Sequence, residues 1–439
     1  MKHRHSLHNP ELHRSRSVVI SCVALFAVCA MARPHPSIAQ SVYSWDQAKA
    51  QFESANLLLK ADAIGVDEMK AAEVTAFLRP NPQFTLASDG TQLVPHNGVW
   101  QPVKGTQLQT NFAYLHERER KRELRLETAK EGTQIASSQH VDLERNLLFS
   151  LRVGFVTVLQ SKAILDLTKL ELDYYDHIIE ISRKRFEVGD MAQIDLDRVE
   201  LQRVQYESDW QAAEVNLRTA KIQLQQMLND KSPVDQFDVE GPFEFSDSIS
   251  SLDDFRRVAL DHRPDLQAAI ESIQQAKTNH TLAVANGSTD PTFSGWYTNN
   301  PSFNNPNALQ TLGLSVSIPL RIFDRNQGEK KRTSLDIGRN QQLEEFARAQ
   351  IFTDVDSAYA QINSSIVLLR PYKEKYLAQA TRVRDTVTFS WQKGATSLMD
   401  FLNAQSDYRQ VQLAYVQLVG AYLVAAGQLN LAVGQEMVR

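Results

Sequence analysis

The sequence predicts a mainly α chain with a small β part, built as a duplication. Three observations lead there. First, Phe186-Glu187-Val188-Gly189 opens a segment that runs through Ile194-Asp195-Leu196. Trp391-Gln392-Lys393-Gly394, 205 positions on, opens a matching one through Met399-Asp400-Phe401. Second, a stripe stepping by three and four follows each. The second copy reads Phe401, Ala404, Tyr408, Val411, Tyr415, Leu418, Tyr422, Ala425, Leu429, Ala432; the first reads Leu196, Val199, Arg203, Tyr206, Trp210, Ala213, Leu217, Ala220, Leu224, Met227. That alternation is the coiled-coil period. Third, two short alternating segments precede each hairpin. Each repeat therefore reads as short helix, two strands and a long helical hairpin turning at a Gly.

Taken in order, residues 1–39 read as a signal peptide. Lys2, Arg4, Arg14 and Arg16 supply the positive region, Val18 to Ala32 the apolar run, and Ser37-Ile38-Ala39 the small residues of a cleavage site. The apolar run is short of the roughly 20 residues of a spanning helix. Both cysteines, Cys22 and Cys29, lie in this segment, and bulky Val28 argues against lipid attachment at Cys29. The mature chain is then expected to carry no thiol or disulfide.

The first repeat, residues 40–240, opens with a helix over Trp45 to Phe77. Strands follow: Phe84 and Leu86 alternate with Gln83 and Thr85, and Leu108, Thr110 and Phe112 alternate with Gln107, Gln109 and Asn111. Between them lies the Gly- and Pro-rich loop Ser88 to Gly105. A helix is expected from near His116 to the Gly189 turn, with Leu148, Leu151, Phe155, Val158, Leu165, Leu172 and Ile179 on one face, and its partner from Gln193 to Asn229. Ser232 to Ser251 is a linker. The second repeat, residues 241–439, repeats the plan. A helix spans Leu252 to Ala285, interrupted at Arg263-Pro264-Asp265-Leu266. Strands fall at Phe293 to Tyr297 and Leu312 to Leu320, around a loop containing Asn304-Asn305-Pro306. The helical arms are about Ser334 to Trp391 and Leu398 to Val433, with Pro371 bending or breaking the first. At 1.5 Å per residue the longest arms would reach on the order of 80–100 Å.

The strands have apolar residues on one side and small or polar ones on the other, a pattern that suits transmembrane barrel strands and soluble hairpins alike. A burst of charge follows each pair: Arg118, Arg120, Lys121 and Arg122, then Arg325, Lys330, Lys331 and Arg332. It suits a solvated helix start, or a membrane-interface collar with cationic heads among lipid phosphates.

A net charge of −5 with 23 % charged residues gives no nucleic-acid-binding balance. The chain has no phosphate loop, nucleophile elbow or His-Glu-x-x-His, and its remaining histidines (His96, His116, His140, His177, His262, His280) are not at ligand spacing. No enzyme, metal site or cofactor is expected.

Taken together, these motifs resemble the TolC family of outer membrane efflux proteins. Arg185-Phe186-Glu187-Val188-Gly189 is similar to that family's first hairpin tip, and Lys393-Gly394 through Asp400-Phe401-Leu402-Asn403-Ala404 to its second. Ala259-Leu260-Asp261-His262-Arg263-Pro264-Asp265-Leu266 is similar to the element opening the family's second repeat. Pro319-Leu320-Arg321-Ile322-Phe323-Asp324-Arg325-Asn326-Gln327-Gly328 and Asn81-Pro82-Gln83-Phe84 are similar to stretches of its cobalt-zinc-cadmium branch.

The resemblance implies a homotrimer in the outer membrane of a Gram-negative bacterium, with a shared twelve-stranded β-barrel continued by an α-helical barrel across the periplasm. It implies a periplasmic adaptor protein at the tips (Arg185, Val188, Gly189, Lys393, Gly394), an inner-membrane RND-type pump, and passive export of heavy-metal cations. It also implies a pore gate at Asp400 and Asn403, Asn403 standing where some members carry a second Asp. Capping of the returning helix is an alternative role for Asp195 and Asp400. Export of drugs, organic solutes or a secreted protein is an alternative cargo, and a periplasmic coiled-coil scaffold without a pore is an alternative of another class.

Overall fold

The computed structural model describes residues 41–300 and 307–438. The signal-peptide reading, with Cys22 and Cys29, and Asn304-Asn305-Pro306 of the second strand loop lie outside the described residues. The elements in chain order are β1 Ser41–Tyr43, α1 Trp45–Ala55, α2 Leu57–Phe77, β2 Gln83–Asp89, β3 Gln107–Leu115, α3 Lys121–Glu187, α4 Gln193–Leu228, β4 Phe237–Val239, α5 Leu252–His262, α6 Pro264–Ala285, β5 Thr292–Asn299, β6 Gln310–Ser317, α7 Gln327–Pro371, a π-helical turn Tyr372–Tyr376, α8 Leu377–Gln392 and α9 Leu398–Val433.

The helices lie four abreast in two tiers. Near the sheet the order is α2, α3, α6, α7; toward the tips it is α4, α3, α9 and then α7 with α8. α3 belongs to both tiers, and at 67 residues it is ~100 Å long. Every residue of both three-four stripes is buried or half-buried, Arg203 included. The stripe is therefore the packing seam that the coiled-coil period implies.

The core is divided along this length. Around the waist one cluster joins Phe52, Leu151, Phe155, Leu224, Leu228 and Phe237, and another joins Phe255, Ile351, Val355, Ile362, Tyr422 and Leu429. Near the tips a third joins Tyr175, Ile178, Val199, Tyr206, Trp391 and Phe401.

Several boundaries differ from the sequence expectation. α3 begins at Lys121 rather than near His116, because Glu119 and Arg120 both take positive φ (55° each) in the turn out of β3. Asn326 (φ 61°) does the same ahead of α7, which begins earlier than expected. The Trp45–Phe77 segment is two helices. Asn56 ends the first and caps the second, accepting from the Leu58 and Leu59 amides at 3.0 Å each while donating to Met227 O at 3.1 Å. At Pro371 the arm does not break. Proline carries no N–H to continue the ladder, and the chain widens into one π turn closed by Leu377 N–H to Tyr372 O.

The Arg-Pro-Asp-Leu motif acts as a structural clamp. Pro264 sits at the first helical position of α6, where its missing N–H costs nothing. The Arg263 side chain is only 4 % exposed. It donates to Asp265 (3.0 and 2.6 Å), to Asp354 of α7 (2.8 Å) and to Ala432 O near the end of α9 (3.2 Å). Burial works against the Asp265 carboxylate, yet the Arg263 bonds hold it below the usual range. Arg263→Ala would strand Asp265 and Asp354 without their cation, at a cost of ~3–5 kcal/mol. We expect a lower urea midpoint for detergent-solubilised Arg263→Ala than for wild type, and a smaller loss for Asp253→Ala, whose side chain is exposed.

Candidate functional site

The four longer strands form one antiparallel sheet in the order β2-β3-β5-β6. Its register collects the apolar residues on one face. Phe84 pairs with Phe112, Phe112 with Gly295 and Gly295 with Leu314; Leu86 pairs with Thr110, Thr110 with Tyr297 and Tyr297 with Leu312. These apolar side chains are strongly exposed, Phe84 at 70 % and Leu314 at 80 %. The opposite face carries Thr85, Asn111, Gln109, Ser294, Thr298 and Ser315 by the same register. Trp296 is the aromatic exception there. It lies flat on Gly313, where any Cβ would fall 2.2 Å from its ring. The apolar alternation continues beyond β6 through Ile318, Leu320 and Ile322, all exposed. Neither β2 nor β6 has a partner on its outer edge among the described residues. The sheet is thus apolar outside, polar inside and open at both edges.

Where the strands meet the helices, the eight expected collar cations divide. Arg118, Arg120, Arg325, Lys331 and Arg332 are exposed. Lys121 departs from the expectation. Its side chain is 4 % exposed, and its ammonium donates to Asp290 (2.6 Å) and to Ser288 O (3.1 Å), tying α3 to the approach to β5. A cation so used cannot reach a lipid phosphate. Arg122 lies over the Phe77 ring at 4.2 Å, and Lys330 is tucked against Gly287.

At the far end the two tips share one backbone design. In the first, Gly189 (φ 78°) donates to Phe186 O and Asp190 to Arg185 O; in the second, Gly394 (φ 72°) donates to Trp391 O and Ala395 to Ser390 O. Both are Schellman closures, in which a residue of positive φ satisfies the last helical carbonyls. The returning helices differ. Ser397 caps α9, accepting from the Asp400 amide (3.1 Å) and donating to its carboxylate (2.7 Å). α4 has no such side-chain cap, and Asp195 instead pairs with Arg198 at 3.6 Å.

Val188, Gly189, Lys393 and Gly394 are exposed. Arg185 is used inside the chain. It donates to Asp190 (2.8 Å) and across to Trp391 O (3.0 Å), with its guanidinium 5.2 Å from the Trp391 ring. Trp391 in turn stacks on Phe401 at 4.4 Å. This tie between the two hairpins was not legible from the motif, because Phe186, the repeat-mate of Trp391, stays outside at 38 % exposure. Asp400 and Asn403 are both exposed and lie within one turn of each other on α9.

The family model for outer membrane efflux proteins matches residues 256–435. Outer membrane protein TolC of Salmonella enteritidis is 24 % identical over 304 residues, 66 % of this chain and 60 % of the relative. This chain thus spans less than two thirds of that relative's length. Cobalt-zinc-cadmium resistance protein CzcC of Cupriavidus metallidurans is 21 % identical over 394 residues, 87 % of each chain. The solved structure of CusC, a protein that forms a transmembrane channel, superposes with a TM-score of 0.72 at 16 % identity, covering 89 % of this chain and 92 % of that one.

This chain is thus similar to outer membrane efflux proteins, by a family model over its second half and by fold over most of its length.

Between the waist and the tips the helices have a charged joint that the sequence did not disclose. Glu171 of α3 is 9 % exposed, and neither carboxylate oxygen accepts a hydrogen bond. Arg409 of α9 approaches it at 3.3 Å but bonds to Asp209 of α4. The Tyr175 hydroxyl, one turn along α3, also lacks a partner, and its ring stacks on Tyr206 at 4.6 Å. Burial pushes the Glu171 carboxyl up to about 7; Arg409 opposes the shift and Asp209 adds to it. The folded state therefore holds a proton that the unfolded state has released, and stability from this group is lost as pH rises from the ordinary carboxylate range through about 7. We expect the melting temperature of the solubilised protein to fall between pH 5 and pH 8, and Glu171→Gln to reduce that fall when the two are scanned side by side.

Proposed function

We propose that the chain is the outer membrane duct of a three-part efflux system, three copies sharing one barrel and one helical tunnel. The observation that carries this reading is the open sheet with an exposed apolar face. In hydrocarbon, each unpaired backbone group at its edges would cost several kcal/mol. Pairing β6 of one copy with β2 of the next around a three-fold axis removes every edge and gives twelve strands. The resulting barrel turns its Leu and Phe to lipid and its Ser, Thr and Asn to water.

The helical edges support the same head-to-tail contact. α4 presents an exposed stripe of Leu201, Val204, Val215 and Ile222, and the opposite edge presents Phe346, Val367 and Phe389. A heterologous contact that closes makes a ring.

In this reading the duct is passive and has no active site. The exposed cations Arg118, Arg120, Arg325, Lys331 and Arg332 hold the barrel at the lipid headgroups. Val188, Gly189, Lys393 and Gly394 are the contact points for a periplasmic adaptor, beneath which an inner-membrane pump of the RND type does the work. Three copies of Asp400 form a carboxylate ring at the tip, with Asn403 adding hydrogen-bonding capacity and no charge, and favour cations. Heavy-metal cations are the leading cargo, supported by the likeness to the cobalt-zinc-cadmium resistance protein. Single-channel recording in planar bilayers tests the reading. Wild type should give cation-selective steps, and Asp400→Ala steps with selectivity reduced several-fold in the reversal potential. A folded protein that gives no steps with either sequence would favour the scaffold without a pore.

A further inference from the structure

A π turn directly follows Pro371. This turn carries Tyr372 and Tyr376, whose rings meet edge-to-face at 5.5 Å and 89°. π turns inside helices frequently mark functional positions. Opposite them on α9 stands Ala404, a side chain too small to fill the space, and a recess of about 230 Å³ opens between the helices. Tyr408 and Val383 close its sides, and Asp407 lies on its rim.

Asp407, like Glu374 of the π turn, differs from the other acidic residues of this hairpin. It is exposed and takes part in no hydrogen bond or ion pair among the described residues. By contrast, Ser397 holds Asp400, Arg384 holds Asp385 at 2.7 Å, and Arg409 holds Asp209 across the seam. The cations nearest the recess lie on ring faces: Arg384 is 4.0 Å from the centroid of Tyr408, and Lys375 is 5.8 Å from that of Tyr376. The aromatic faces here already attract positive charge.

We propose that Tyr372, Tyr376, Tyr408 and Asp407 form a binding recess for a compact organic monocation of the alkylammonium class. A carboxylate supplies the charge, and the ring quadrupoles supply attraction that does not require removing a tight hydration shell. Those two features together favour an alkylated ammonium over a hydrated metal ion, which would have to shed water to meet the rings. Asp407 lies one heptad beyond Asp400, on the stripe Asp400, Ala404, Asp407, Val411 and ~10 Å along the axis. The recess thus shares the face of the proposed carboxylate ring, but its ability to bind a cation does not depend on that ring or on conduction.

The test uses the purified full-length protein in dodecyl maltoside, with tetramethylammonium as the probe and saturation-transfer NMR of its methyl protons as the readout. Protein-free micelles serve as the reference. Saturable transfer in the millimolar range is expected from wild type. Asp407→Asn should lose it, Asp407→Glu should retain it, and Tyr376→Leu should weaken it at least five-fold. Ala380→Leu fills the recess and leaves the carboxylate in place, so it should also abolish transfer, while Asp67→Asn, at an exposed carboxylate of α2 far from the recess, should match wild type. Circular dichroism checks that each variant is folded. Wild-type transfer in Asp407→Asn overturns the proposal. So does undiminished transfer in Ala380→Leu, which would reduce the site to a surface charge, and so does loss in Asp67→Asn with Asp407 intact.

Discussion

A helix four abreast with its neighbours can bury only one stripe of its surface, and this chain satisfies that constraint over a length of ~100 Å. No central core is possible in such a layout. Apolar burial is spread along the seams in three clusters, two at the waist and one at the tips. The three-and-four spacing keeps each seam in register over ten successive contacts. A helix drifting at the ideal 3.6 residues per turn would carry its apolar stripe out of the seam within a few heptads.

Because burial is dispersed, discrete polar clamps fix the pieces against each other. Lys121 with Asp290 locks the base of α3 to the approach to β5, and Arg263 locks the α5–α6 break to α7 and α9. Arg409 bridges α9 to the first hairpin, and Arg185 joins the tips. Each joins segments far apart in sequence, and most use an arginine, whose planar fork can serve two carboxylates or a carboxylate and a carbonyl at once. The joints are not equally satisfied. Around Arg263 both carboxylates are bonded. At Glu171 the cation is shared unequally, and the shortfall appears as a carboxyl displaced toward neutral pH.

The duplication explains the plan but not the details. Both tips close on a glycine with the same two backbone bonds, and both long helices start behind a residue of positive φ. The side chains at matched places have diverged. Trp391 is buried where Phe186 is partly exposed, and Ser397 caps α9 where Ala192 offers no cap to α4. Pro371 and its π turn have no counterpart in α3, so the aromatic recess exists in one repeat only.

The sequence by itself determined the long helices, their seam, the glycine tips and the two faces of the sheet. All of these are local periodicities: an apolar spacing or a positive-φ position is a property of consecutive residues and holds whatever the neighbours are. It did not determine which member of a charge cluster stays free. Lys121 and Lys331 look alike in the chain, yet one is sealed against Asp290 and the other is exposed. Nor did it disclose the break at Asn56, the tie from Arg185 to Trp391 or the strain at Glu171. Those outcomes depend on which distant helix comes to lie alongside, and a buried charge is kept, paired or displaced in pKa by neighbours that only the tertiary structure supplies.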